Sequence, residues 1–147
     1  MSQSVADNKR IARQIPEAVA TEGHLDRLDD ILADDHAEHG VLGETAHGVD
    51  ETKAQMEAIR TAFPDFEAEV QAIIAEDDLV SMRVRLRGTH EGPFMGVAPT
   101  GKRFEVDNLV HTRIADGKIA ERWVYPDVLD MFQQLGVESL PASPPGA

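Results

Sequence analysis

Cysteine is absent from the 147 residues. That removes disulfide staples, thiolate catalysis and cysteine-ligated metal from consideration. Long apolar runs are missing too, and none approaches the roughly 18 residues needed to cross a bilayer. The opening stretch MSQSVADNKR lacks the apolar centre of a signal peptide, so the cytoplasm is the expected compartment. Basic residues are few, 14 against 27 acidic ones, for a formal net charge of −13. Nucleic acid and anionic lipid both need a basic face, so neither is an expected partner. Lysine is confined to Lys9, Lys53, Lys102 and Lys118. A surface this rich in carboxylates repels itself unless salt screens it. Two readings stay open, a salt-adapted surface and an ordinary acidic one. A melting point indifferent to molar salt would argue against adaptation.

What is present is ordinary globular material, 41 % hydrophobic and long enough for one domain with a buried core. Helical spacing comes first. In SVADNKRIARQIPEAVATEG the residues Val5, Ile11, Ile15, Ala18 and Val19 share a face, and Gly23 suits the end. Pro16 should kink or divide this helix, since it lacks an amide proton and crowds the preceding turn. HLDRLDDILADD predicts a short helix packed through Leu25, Leu28, Ile31 and Leu32. VDETKAQMEAIRTAF predicts a longer one, capped by Asp50 and stopped before Pro64.

The period then falls to two. FEAEVQAIIAED, LVSMRVRLRGTH, RFEVDNLVHTRI and KIAERWVYPD read as four strands. Met82, Val84 and Leu86 alternate with Arg83, Arg85 and Arg87, and Phe104, Val106, Asn108 and Val110 with Glu105, Asp107 and Leu109. On the last strand Ile119, Trp123 and Tyr125 share one parity. ADGK is a tight turn, DVLDMFQQLG a closing helix, and VESLPASPPGA a loose tail. Helices followed by an antiparallel meander mean α+β, with one domain over 1–136 and a flexible Pro/Ser-rich tail over 137–147. A twisted sheet, wet on one face and covered by helices on the other, can curl into a cone with an open mouth.

RGTHEGPFMGVAPTGKRFEV, residues 87–106, spaces glycines at Gly88, Gly92, Gly96 and Gly101. A phosphate loop would feed directly into a helix N-terminus, usually through Lys then Ser or Thr. Here strand leads to strand, and Lys102 is followed by Arg103. Phosphate is rejected. Phe94, Met95, Val97 and two prolines instead predict a loop folded back over a cavity, with a plain long hairpin as the alternative.

These segments together resemble the SnoaL-like polyketide cyclases, the ester cyclase group of the nuclear transport factor 2-like superfamily. The resemblance rests on EGHLDRLDDILADDHAEHG, IRTAFPDFEAEV, the 87–106 loop and DGKIAERWVYPDVLDMFQQLG, and covers roughly residues 8 to 136. It implies a cone-shaped curved antiparallel sheet packed against N-terminal helices, the cystatin-like α+β barrel, around a deep apolar pocket. It also implies a homodimer through the sheet's outer face, and intramolecular aldol ring closure without cofactor or metal. The family's acid is an aspartate near the end of the last strand, and Asp127 matches. Many relatives read Trp-Asp where this chain has Trp123–Val124. A carboxyl group desolvated in an apolar pocket holds its proton more tightly, which suits an acid. Asp127 is equally well placed to cap the closing helix.

His111, on the neighbouring strand, is the companion catalytic candidate, although it shares parity with Glu105 and Asp107. His90 and Asn108 sit on apolar parity, where a polar group must find a partner or line a cavity. Phe94 and Met95 belong to the predicted pocket rim, and one of Trp123 and Tyr125 to its wall. His36 and His39, with His47 nearby, have the i, i+3 spacing of two helical metal ligands, but no complete ligand set follows. The resemblance instead places His39 at the pocket mouth. His24 reads as a solvated helix-start residue.

Two functional classes follow. One is an enzyme acting by acid–base catalysis on a small, largely apolar carbonyl compound. The other is a non-catalytic carrier on the same scaffold, since fold does not dictate function. A related isomerase or epoxide hydrolase is a variant of the first, the epoxide route needing an Asp–Arg–Asp trio in the pocket.

Overall fold

The computed structural model describes residues 4–40 and 44–137. Apart from Val137, the predicted tail lies outside the described residues. Helix α1 spans Val5–Gln14 and is capped by Ser4, whose hydroxyl accepts the Asp7 amide. At Pro16 the regular ladder stops and the chain widens into a π-helical turn, Ile15–Thr21. The proline thus divides the helix as its missing amide requires. The widened turn is held from outside. The Thr21 hydroxyl donates to the Pro16 carbonyl at 2.8 Å and accepts the Ala68 amide at 2.8 Å, while Arg60 Nη1 donates to the Ala20 carbonyl.

A 3₁₀ turn, Leu25–Arg27, and the short helix α2, Leu28–Ile31, lead into strand β1, Leu32–His39. Here the structure departs from the helical reading of the histidine segment. Strand β2, Thr45–His47, pairs with β1, and helix α3 follows over Gly48–Ala62. Asp50 lies inside the first turn of α3 instead of capping it. The Glu51 carboxylate reaches back to accept the His47 amide at 2.9 Å. The remaining strands are β3 (Glu67–Glu76), β4 (Leu79–Thr89), β5 (Arg103–Ala115) and β6 (Lys118–Pro126). Helix α4, Val128–Gln134, closes the described chain.

The six strands form one sheet in the order β2-β1-β6-β5-β4-β3. β3 to β6 are the expected antiparallel meander. The sheet as a whole is mixed, because β1 runs parallel to β6. β1 enters from the helical layer far away in sequence, so no hairpin dictates its direction. The β5–β6 turn has Asp116 and Gly117 both at positive φ, the mirror-image turn that matches strand twist.

One face of the sheet carries Val80, Met82, Phe104, Val106 and Ile119, all buried against Ala12, Ile15, Val19 and Leu28 from the helices. Phe63, directly after α3, joins the helical layer to the sheet. Its ring meets Phe104 at 4.9 Å, Phe94 at 5.1 Å and His90 at 5.5 Å. The opposite face is polar over β3–β5, where Arg85 and Arg87 pair with Glu67, Glu69, Glu105 and Asp107. Such exposed pairs add little stability; they keep this part of the face solvated.

Candidate functional site

The β4–β5 connection is built by short-range bonds. Asp65 accepts both the amide and the hydroxyl of Thr89, at 2.7 and 2.8 Å. The Thr89 amide, with help from its hydroxyl, holds the Asp65 carboxyl below its ordinary range. Glu91 and Gly92 donate their amides to the Ala62 carbonyl. This approach leaves no room for a side chain, since a Cβ on Gly92 would stand 2.5 Å from the Thr61 carbonyl oxygen. Beyond it, Phe94 and Val97 exchange two backbone hydrogen bonds around Met95 and Gly96, both at positive φ. The loop is therefore a pinned finger.

That finger covers a cavity of about 460 Å³ between the helices and the inner face of the sheet. Such a volume holds a drug-sized molecule. Its walls are largely apolar: Ile15 and Ala20 from the π-helical turn, Met56 and Ile59 from α3, Phe94 and Met95 from the loop. Val84, Leu86, Val110 and Val124 close the sheet side. Among the lining residues Glu38, Arg122 and Asn108 are buried polar groups on the sheet. Glu44, Gln55 and Arg60 lie elsewhere on the wall.

Glu38 and Arg122 stand opposite each other on the parallel pair β1 and β6. Arg122 Nη1 donates to Glu38 Oε2 at 2.5 Å, and each residue is only 4 % exposed. The other carboxylate oxygen, Oε1, lies 2.8 Å from His36 Nε2. His36 is fully buried, with Nδ1 3.1 Å from the Ile119 carbonyl. A carbonyl only accepts, so Nδ1 carries a hydrogen, and the Nε2–Oε1 bond needs a second proton between imidazole and carboxyl. Arg122 Nε and Asn108 Oδ1 are buried without a partner among the described residues.

Of the residues singled out from sequence, Phe94, Met95 and Asn108 line this cavity. The other candidates lie elsewhere. Asp127 is exposed and accepts the Asp130 amide at 3.1 Å, capping α4. Replacing it with alanine should cost about 1 kcal/mol of stability and leave ligand affinity in the cavity unchanged, as denaturant melts and titration would show. His111 is exposed and pairs across the sheet with Ser81 and Trp123.

Trp123 and Tyr125 are turned outward by an irregularity in β6. Ile114 pairs with Ile119 but Arg113 pairs with Glu121, so Ala120 is an extra residue. Beyond that bulge Arg122 and Val124 point inward and the two aromatics outward. His39 goes with them. It stacks on Trp123 at 5.5 Å and contacts Glu121 Oε2 at 2.6 Å and Thr45 Oγ1 at 3.2 Å. The His39 bond, then Arg113, holds the Glu121 carboxyl below its usual range. Because His36 and His39 sit on a strand with opposite orientations, they do not form the helical ligand pair their spacing evoked. Sequence reading missed Glu38 and Arg122 as site residues. The available signal was Arg122 alternating with Ala120 and Val124.

His90 is buried beneath the finger, where Nδ1 accepts the Thr100 amide at 3.2 Å and meets its hydroxyl at 3.0 Å. Burial pushes its imidazole below the ordinary value of 6.5. A depressed folded-state value means that the unfolded chain takes up the proton first, so this contribution to stability is lost as pH falls below 6.5. The acid-side slope of melting temperature against pH should flatten in His90→Gln. An unchanged slope would show that His90 does not supply it.

The family model for SnoaL-like polyketide cyclases matches residues 10–135. The chain belongs to that family. Among curated SnoaL-like relatives, the aklanonic acid methyl ester cyclase DnrD of Streptomyces peucetius is 31 % identical over 117 residues, covering 75 % of this chain and 80 % of the relative. Among solved structures, IdmH of Streptomyces antibioticus, a polyketide cyclase candidate, superposes with a TM-score of 0.75 at 34 % identity. That match covers 88 % of this chain and 99 % of IdmH. AclR of Streptomyces galilaeus, a hydroxylase candidate, superposes at 0.79 with 30 % identity, covering 95 % of this chain and 87 % of that one. Different reactions are thus ascribed to similar SnoaL-like frames, so the frame alone does not fix the chemistry.

Proposed function

We propose that this chain is a polyketide-type cyclase that closes a ring in a carbonyl compound held in the 460 Å³ cavity. The observation that carries the reading is the distribution of polarity there. A largely apolar enclosure gathers Glu38, Arg122 and Asn108 on the sheet wall, with Glu44, Gln55 and Arg60 elsewhere and the apolar remainder free to grip a folded, largely nonpolar chain. Holding both reacting carbons together is itself a large contribution to rate, about 7 kcal/mol at good alignment. The relatives' activity on a polyketide methyl ester supports this substrate class. No helix among the described residues is long and apolar enough to cross a membrane.

Incubation with aklanonic acid methyl ester tests the reading. The expected product is a ring-closed isomer of unchanged mass, formed faster than in buffer. Tight binding without closure would instead establish a carrier. The carrier reading is favoured by one observation, that Asp127 caps a helix outside the cavity.

We further infer that the outer face pairs with a second copy of the chain. Leu109 and Tyr125 are cross-strand partners there, 55 % and 65 % exposed, beside Trp123 and His111. An exposed apolar patch of this kind on a sheet is a common docking surface. Sedimentation should report a dimer that Leu109→Arg dissociates; a monomeric wild type would end the proposal.

A further inference from the structure

The Glu38–Arg122 contact looks at first like a self-contained ion pair. His36 changes the count of charges. With Nδ1 committed to the Ile119 carbonyl, the 2.8 Å bond to Glu38 carries its own proton, so imidazole and carboxyl together are neutral. Arg122, Glu38 and His36 together therefore carry one net positive charge. Arg122 is also under-bonded: beyond the Glu38 contact, its Nε–H has no acceptor among the described residues. A cation 4 % exposed, in a largely apolar wall, is costly unless an anion or strong acceptor meets it. Arg60, also on the wall, directs its Nη1 to the Ala20 and Thr21 carbonyls. Glu44 is the other carboxylate on the wall.

Resting on the cyclase reading, we propose that Arg122 is a catalytic residue that holds the oxyanion developing on the ligand, and that Glu38 and His36 are positioning residues that fix its guanidinium. The geometry disfavours Glu38 as the base, because both of its oxygens are already engaged, Oε2 by the Arg122 guanidinium and Oε1 in the proton-sharing bond with His36. In ring closure the enolate's carbon pair forms the new C–C bond. The π pair of the acceptor carbonyl becomes the lone pair on oxygen beside Arg122, and the proton lost from the α-carbon returns to that oxygen through water. A preorganised donor in a dry site stabilises such a charge far better than water does.

The test uses 4-nitrophenol, whose absorbance separates phenol from phenolate directly. Bound to the wild type, it should ionise more readily than in buffer. Arg122→Gln should lose that preference by about tenfold or more, the scale of one charge-assisted hydrogen bond. Arg122→Lys, the fallback should Gln impair folding, should keep part of it. Glu38→Ala should weaken the preference even where melting shows the fold intact, and Glu38→Gln, which still accepts from the guanidinium, should restore most of it.

A folded Arg122→Gln protein with wild-type phenolate preference would overturn the proposal, as would a wild type that shows no preference. Loss of ring closure in Glu38→Gln with the phenolate preference intact would make Glu38 the proton acceptor and overturn its positioning role. The cyclase activity and the Arg122 role fail separately. Arg122-dependent phenolate binding without ring closure would sink only the cyclase reading, whereas closure undiminished in Arg122→Gln would sink only this one.

Discussion

Phe63→Ala should destabilise the protein by about 3–5 kcal/mol in urea unfolding, the range for deleting a large buried aromatic. Phe63 is 1 % exposed and its ring stands within 4.9–5.5 Å of Phe104, Phe94 and His90. It also meets Phe66 at 6.4 Å. Truncation opens a void where the α3 layer, the sheet and the loop converge, and nothing backbone-tethered can fill it. The loop should suffer with the core, because Phe94 rests edge-on against this ring. Ligand affinity should therefore fall along with stability. Phe63→Leu, which restores most of the volume, should cost much less. A loss below about 1 kcal/mol in Phe63→Ala would mean that the cluster does not hold the layers together.

Glu38→Leu should be comparably damaging, about 3–5 kcal/mol, for a different reason. The substitution leaves Arg122 Nη1 and His36 Nε2 buried opposite an aliphatic chain without their Glu38 partner, while His36 Nδ1 keeps the Ile119 carbonyl. The size of that loss is the penalty for a stranded charge, not the net worth of the pair. Replacing Arg122 by methionine as well should recover much of the stability, since an apolar pair of similar volume avoids desolvation altogether. The double variant should nonetheless fail to bind phenolates. Equal stability losses in single and double variants would contradict this account of the pair.

The meander was legible because its cues are local: alternation on β4 and β5, and the ADGK turn between β5 and β6. The break at Pro16 was legible for the same reason. β1 was not, since LADDHAEH has neither apolar alternation nor β-branched residues. Its strand state comes from pairing with β6 and β2, far away in sequence. The site was half legible. Asn108 and the Phe94–Met95 rim followed from parity and loop composition. Arg122 did not, because one extra residue at Ala120 reverses every side chain after it. That single bulge took Trp123 and Tyr125 from the expected pocket wall to the outer face and turned Arg122 in. Asp127 was the candidate for the acid that the resemblance implies, while its geometry serves the α4 cap.

The most direct test fills the cavity and follows ring closure of aklanonic acid methyl ester. Val124 lines the sheet wall opposite Val110 and takes no part in the side-chain hydrogen bonds of Arg122, Glu38 and His36. Val124→Trp should occupy the space the ligand needs, and a folded variant should lose ring closure while the wild type performs it. Wild-type turnover in a folded Val124→Trp protein would place the chemistry somewhere other than this cavity.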